Sequence, residues 1–282
     1  MTKLLACIDA SAYATSVCDH AAWVATRLFA SVEILHVIQR KDAVAARHDL
    51  SGAVGLGAKS TLLEELTRIG ESEGRLAREQ GKALLGAAEQ RLREAGVEDV
   101  TVVHRHGGIV ETVVEREAEA DMVVIGKRGA SADFARGHLG SKVERVVRSS
   151  TRPVLVASRA FRPIREVVLA YDGGESARKA VHFMAGSALF RDAKVHVVMA
   201  GAADESHEER LAGAVRALRT GGIETSSALV QSSAEDGIAD AMRERDMLVM
   251  GAYGHSALRA MIVGSTTTAM MRTCQVPVLL FR

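Results

Sequence analysis

The sequence predicts an α/β fold made twice: two tandem copies of a doubly wound domain, each with a five-stranded parallel sheet. Three observations predict it. Apolar runs of five or six residues alternate with segments of helical periodicity. The runs are apolar throughout, as in strands covered on both faces. The same landmarks also recur in the same order in both halves, which marks an internal duplication.

Leu4-Leu5-Ala6-Cys7-Ile8-Asp9 is matched by Val167-Val168-Leu169-Ala170-Tyr171-Asp172, each an apolar run ending on an aspartate. Val17, Ala21, Ala25 and Leu28 then define one face of a helix that Ser11 is placed to cap. Val32 and Val195 each open a second run 23 residues beyond the aspartate. Leu84, Ala88 and Leu92 give the next helix, ended by Gly96; Leu211, Val215 and Leu218 repeat it before Gly221 and Gly222. Asp121-Met122-Val123-Val124-Ile125-Gly126 is echoed by Asp246-Met247-Leu248-Val249-Met250-Gly251. Gly140-Ser141 precedes Pro153-Val154-Leu155-Val156 by the spacing that separates Gly264-Ser265 from Pro277-Val278-Leu279-Leu280. Right-handed crossovers then wind each copy into one sheet.

The copies differ in length. Asp9 to Gly126 is 117 residues and Asp172 to Gly251 is 79, an excess of 38 in the first copy. Most of it falls at about residues 39–80. Four residues are assigned to the following helix, because Ile109 lies 17 residues before Gly126 and Ile238 lies 13 before Gly251. Leu62, Leu63, Leu66 and Ile69 have helical spacing, so part of the insertion is expected to be a packed helix. The expected domains are 1–160 and 161–282, joined near 159–165.

Composition excludes several classes. At 282 residues, 48% apolar and with three prolines, the chain has the content of a globular protein of about two domains. Lys+Arg 36 against Asp+Glu 35 leaves no basic footprint for nucleic acid, and 4% aromatic residues gives little to stack on bases. No apolar stretch has the length of a membrane span. Cys7, Cys18 and Cys274 form no C-x-x-C pair, and Cys7 inside an apolar run reads as a buried reduced thiol. The N-terminal run meets Asp9 too soon for a signal peptide. A cytoplasmic protein is expected, with no nucleic-acid or membrane partner.

In open α/β sheets, ligands sit beyond the carboxyl ends of the strands, where strand order reverses. Asp9, Asp172 and the glycine-rich segments after the fourth strands fall there. The second copy reads Gly251-Ala252-Tyr253-Gly254, nine residues, then Gly264-Ser265-Thr266-Thr267-Thr268 opening a helix. Glycines allow close backbone approach, and a helix N-terminus offers unpaired N–H groups and the positive end of the dipole to phosphate.

This pattern, Gly-x2-Gly-x9-Gly-Ser/Thr with an acid after strand one and a Pro-Val-Leu final strand, resembles the universal stress protein family over essentially the whole chain. The resemblance implies a Rossmann-like fold of the adenine nucleotide α-hydrolase type, and a stress-response protein that binds ATP with Mg²⁺ as a sensor or switch. It implies adenine near Asp172, Gly173, Ala200 and Met250. Phosphates would fall near Gly251, Gly254, His255, Gly264, Ser265, Thr266 and Thr267. The matching first-copy positions are Asp9, Val37, Gly126, Gly129, Gly140 and Ser141. There, Gly126-Lys127-Arg128-Gly129 is followed by ten residues, and Lys142-Val143-Glu144 replaces the threonines, so nucleotide is expected chiefly in the second copy. Lys127 and Arg128 read as solvated surface charges. In the family the final strands Val154–Ala157 and Val278–Phe281 pair about a two-fold axis. An internal pseudo-dimer is therefore expected, with a homodimer of chains also open.

Other readings are weaker. Gly52-Ala53-Val54-Gly55-Leu56-Gly57-Ala58-Lys59-Ser60 fails as a P-loop, since its lysine does not follow a glycine. His104-x-His106 lacks further metal ligands at suitable spacing, and no G-x-S-x-G elbow is present. No catalytic residue and no metal site are assigned; at most slow ATP hydrolysis or autophosphorylation is expected. Asp172-Gly173-Gly174-Glu175-Ser176 distantly resembles the loop of ATP pyrophosphatase synthases, one residue short. That synthase and a nucleotide-free interaction module are the alternatives.

Overall fold

The computed structural model describes residues 2–38, 56–129, 140–252 and 265–282. In chain order the first half contains β1 (Lys3–Ile8), α1 (Ala14–Leu28), β2 (Ser31–Ile38), α2 (Leu56–Glu94), β3 (Val100–His106), α3 (Ile109–Arg116), β4 (Met122–Gly126), α4 (Ser141–Ser149) and β5 (Val154–Ala157). The second contains β6 (Glu166–Ala170), α5 (Glu175–Gly186), β7 (Lys194–Ala200), α6 (Glu205–Thr220), β8 (Glu224–Val230), α7 (Ala234–Ala241), β9 (Met247–Gly251), α8 (Ser265–Thr273) and β10 (Val278–Phe281).

The ten strands of the described residues form one sheet in the order β3-β2-β1-β4-β5-β10-β9-β6-β7-β8. Each half is parallel and doubly wound, and its order reverses between its first and fourth strands. The two halves meet where β5 and β10 pair antiparallel, with Leu155 opposite Leu279. That join covers two apolar edges that would otherwise offer unpaired backbone groups.

Side chains alternate along each strand and feed two core layers. Leu4, Ala6 and Ile8 of β1 pack toward α1 and α2, in a layer that continues under α5 and α6. Leu5 and Cys7 pack on the opposite face, toward α3, α4, α7 and α8. Cys7 is a buried free thiol, and burial pushes its pKa up. The outermost strands β3 and β8 depart from the expectation of burial on both faces, because each lies at an edge of the sheet and has only one fully buried position.

Several local expectations need correction. Ser11 does not cap α1: the cap is Tyr13, and the Ser11 hydroxyl, two residues earlier, accepts from the Tyr13 N–H at 3.2 Å. The helix in the insertion and the helix ending at Gly96 are one continuous 39-residue α2. Ile69 is not buried; it is 48% exposed, and the α2 residues that pack on the core lie later in the helix, at Leu84, Leu85, Ala88 and Leu92. The four residues assigned to the helix after the third strand do not belong there. α3 and α7 are both eight residues long, and each starts 13 residues before the strand that follows (Ile109 to Met122, Ala234 to Met247). Ile238 therefore corresponds to buried Val113 and not to Ile109, so the extra length lies between β2 and β3.

Candidate functional site

The loops that leave the carboxyl ends of the paired strands β1 and β4 part at the switch point of the first half, which leaves room for a ligand. A cavity of about 530 Å³ opens there. Its walls are the turn after β1, the end of β2, the end of β4, the start of α4 and one stretch of α2. All six first-half residues expected from the sequence (Asp9, Val37, Gly126, Gly129, Gly140 and Ser141) line it.

Each wall follows from its residues. Asp9 Oδ1 accepts the Ser11 N–H at 3.1 Å, an Asx turn that lifts the chain away from β1. Gly126 must be small, since a Cβ there would lie 2.7 Å from Tyr13 Cβ. A Cβ on Gly129 would lie 2.8 Å from Asp9 Oδ2, so the glycine segment crosses directly beside the aspartate. The ten-residue spacing does not separate the ends of the loop: the Gly140 N–H points at the Lys127 carbonyl at 3.5 Å. Residues 130–139 lie outside the described part of the chain.

Gly140 is the N-cap of α4 and has no side chain to satisfy the first N–H groups, which leaves them directed toward the cavity end of the helix. Arg128 and Lys142 line the same region. The Nε of Arg128 is buried and has no hydrogen-bond partner among the described residues. A buried guanidinium nitrogen without an acceptor is costly unless an acceptor arrives from elsewhere.

Lys127 behaves otherwise than expected. It is buried, its ammonium donates to the carbonyl of Cys274 in the second half, and it does not line the cavity. Burial pulls its pKa down to about 8. The Cys274 thiol is pushed up, also by burial. Lys127 thus ties the halves together, because its strand end points into the join at β5 and β10 and away from solvent.

The second half repeats the turn. Asp172 Oδ1 accepts the Gly174 N–H at 2.8 Å, and Gly173 has φ +73°. Ala200 ends β7, while Met250 and Gly251 end β9, on the other side of β6. A Cβ on Gly251 would lie 3.0 Å from the Ala177 nitrogen. Ser265 opens α8, Thr266 is half-buried and Thr267 is buried. Gly254, His255 and Gly264 lie outside the described residues. Two arginines flank Gly173: Arg178 donates to its carbonyl at 2.6 Å, and Arg210 Cδ lies 3.1 Å from the place of its missing Cβ.

The sequence reading missed Tyr13, His36 and the α2 residues Ala77, Gln80, Gly81 and Leu84, all of which line the first cavity. Aligning Gly96 with Gly222 would have found the last group, since it sets α2 against α6 residue by residue. Among the described residues no cluster of three His, Cys, Asp or Glu side chains is placed to hold a metal ion, and no helix is long and apolar enough to cross a membrane.

Two doubly wound sheets joined edge to edge, each with a turn-forming aspartate at its switch point, define a tandem α/β protein of Rossmann-like type. The chain belongs to the universal stress protein family, whose model matches residues 1–158 and again 163–282. It is 34% identical over 287 residues to universal stress protein Slr1230 of Synechocystis, covering 100% of both chains. It is 29% identical over 198 residues to universal stress protein Rv2005c of Mycobacterium tuberculosis, covering 61% of this chain and 65% of that one. A universal stress protein from Archaeoglobus fulgidus has the same fold at a TM-score of 0.70 and 19% identity, over 99% of this chain and 98% of that one.

Proposed function

We propose that the chain binds an adenine nucleotide, ATP with its Mg²⁺, and acts as a stress-responsive sensor or switch in the cytoplasm, not as a catalyst. The observation that carries this reading is the first-half cavity, with a helix N-terminus on one wall and, beside it, an Arg128 nitrogen, neither of which has a side-chain partner among the described residues. Such a site suits phosphate. The base would lie toward Asp9 and Val37, and the phosphates toward Gly129, Gly140 and Ser141, with Arg128 and Lys142 adding charge. In the second half, Asp172, Gly173, Ala200 and Met250 take the base side. Gly251, Gly254, His255, Gly264, Ser265, Thr266 and Thr267 take the phosphate side. Nucleotide then shifts the population of surface states that partner proteins recognise.

The test is to denature the purified protein, identify what it releases by mass spectrometry, and titrate ATP into the wild type, Gly140→Trp and Gly264→Trp. Adenine nucleotide is expected, with each variant losing one site. A preparation that releases none and gives no heat with ATP refutes the proposal and favours the interaction module. Pyrophosphate release with a second substrate favours the synthase.

A further inference from the structure

Behind the wall of the first cavity stands a stack of three imidazoles. His36 on β2 and His104 on β3 are register partners, with ring centroids 5.2 Å apart. His106 continues the stack, 6.1 Å from His104 with the rings nearly parallel. His36 Nδ1 donates to the Ile8 carbonyl at 3.0 Å, next to the Asp9 turn, and His36 itself lines the cavity. The carbonyl can only accept, so Nδ1 carries the ring hydrogen in this contact.

α2 lies directly on this stack. A Cβ on Gly81 would stand 2.5 Å from Cε1 and Nε2 of His104 and 2.9 Å from Cδ2 of His36. Any side chain there would push the rings aside, so with them in place the helix needs glycine at this point. The same stretch, from Ala77 to Leu84, walls the cavity. His104 Nε2 is buried under it with no hydrogen-bond partner among the described residues. Among the described residues, the groups that act on His104 are His36 from β2, His106 from its own strand and Lys82 from α2, none of them an acid. Burial, followed by these three, holds its pKa below the ordinary histidine value.

We propose that this histidine stack is a proton-operated latch: when neutral it lets α2 seat on β3 and close the cavity, and when charged it drives α2 away. The sign follows from linkage. A histidine held below its ordinary pKa by packing stabilises the packed state fully above that ordinary value, about 6.5. It loses the contribution as pH falls through its folded value, because the unseated helix then binds more protons. The second half is an internal control. There, Met199 and Leu229 are the corresponding register partners, and the helix brings His207, bonded to Asp204 at 2.8 Å, in place of Gly81. A latch of this kind is absent among those residues.

The consequence for ligand affinity rests on the nucleotide reading of the cavity; the motion of α2 does not. Hydrogen exchange of the full chain, corrected for intrinsic rates, is read at pH 7.5 and 5.5 over residues 77–84 and 203–210. In the wild type, protection over 77–84 is expected to fall about tenfold at the lower pH, with 203–210 unchanged. His104→Leu, which imports the residue of the second half, should abolish the fall. Lys82→Met, which leaves the stack intact, should shrink it, because the Lys82 charge is one of the groups that hold the His104 pKa below its unseated value. Protection that is equal at both pH values, or that falls equally in His104→Leu, overturns the latch. ATP titrations at the same two pH values form the second arm, with weakening at pH 5.5 expected in the wild type and not in His104→Leu. If ATP does not bind at pH 7.5, the nucleotide reading fails while the exchange data still decide the latch.

Discussion

The two halves keep one backbone plan and wire their charges differently. At the amino end of the first sheet, Glu33 on β2 is buried, 3% exposed. It is gripped by Arg116 Nε and Nη2 at 2.7 and 2.6 Å and by Lys3 at 2.9 Å. In the second sheet the position of Lys3 holds Glu166 and the position of Glu33 holds His196. Glu166 pairs with Arg245 and is partly exposed, and His196 bonds Ser226 Oγ at 2.8 Å. The acid has moved from the second strand to the first, and its partners have moved with it. Charged groups in such a place change only as sets, so neither half can donate a single residue to the other without loss.

The largest effect should come from breaking that set. Arg116→Leu leaves a carboxylate buried with one partner, which costs about 3–5 kcal/mol. Arg245→Leu disrupts a partly exposed pair and should cost about 1 kcal/mol or less. Urea unfolding of both variants makes the comparison, and equal losses would show that burial of Glu33 is not what distinguishes the halves. The pH dependence has a definite sign. Burial pushes the Glu33 carboxyl up, but Arg116 and Lys3 more than reverse this and hold it below the usual range. Its contribution is therefore complete above the unfolded carboxylate value and is lost as pH falls through the lowered folded value. The penalty of Arg116→Leu should shrink over the same interval.

Much of this architecture was legible in the sequence, because parallel strands and their helices leave periodic apolar marks. Asp9 and Asp172 were legible because each forms the same turn, and Gly126 and Gly251 because each lies beneath the first turn of a helix. What was not legible depends on packing. Lys127 and Arg128 are neighbours in a polar run, yet one is buried at the join and the other lines the cavity. Only the crossing of two halves decides that. Ile69 fits a helical stripe but is 48% exposed among the described residues. His104 and His106 raised a question of metal ligation, and their near-parallel rings do not converge on an ion.

A second contrast concerns how closely helices approach. Gly221, at the end of α6, has an unstrained φ of −74°, but a Cβ there would lie 2.3 Å from the carbonyl oxygen of Ala185 in α5. The obstacle is backbone and cannot swing aside. The corresponding residue at the end of α2 is Ala95, which already carries that methyl group. Gly221→Ala should therefore cost about 2–3 kcal/mol by forcing α5 and α6 apart, whereas Ala95→Gly should cost less than about 1 kcal/mol. Thermal unfolding of the pair measures how far the helix crossings have diverged.

The smallest effect probes what has not diverged. Gly96 and Gly222 follow α2 and α6 with φ of +88° and +80°. Each donates its N–H to an arginine carbonyl three residues back, Arg93 at 3.0 Å and Arg219 at 2.9 Å. Space is not the constraint, for the nearest atom to a Cβ on Gly96 is Thr26 Cγ2 at 4.0 Å and nothing lies within 4 Å at Gly222. Alanine at either site therefore meets only the backbone cost of the left-handed region, about 1–2 kcal/mol. The two losses should be equal within experimental error, although one helix is 39 residues long and the other 16. Equality would mean that the insertion lengthened α2 from its free end and left the carboxyl end, which packs on the sheet, as duplication made it. A larger loss at Gly96 would mean instead that the long helix relies on its last turn as an anchor.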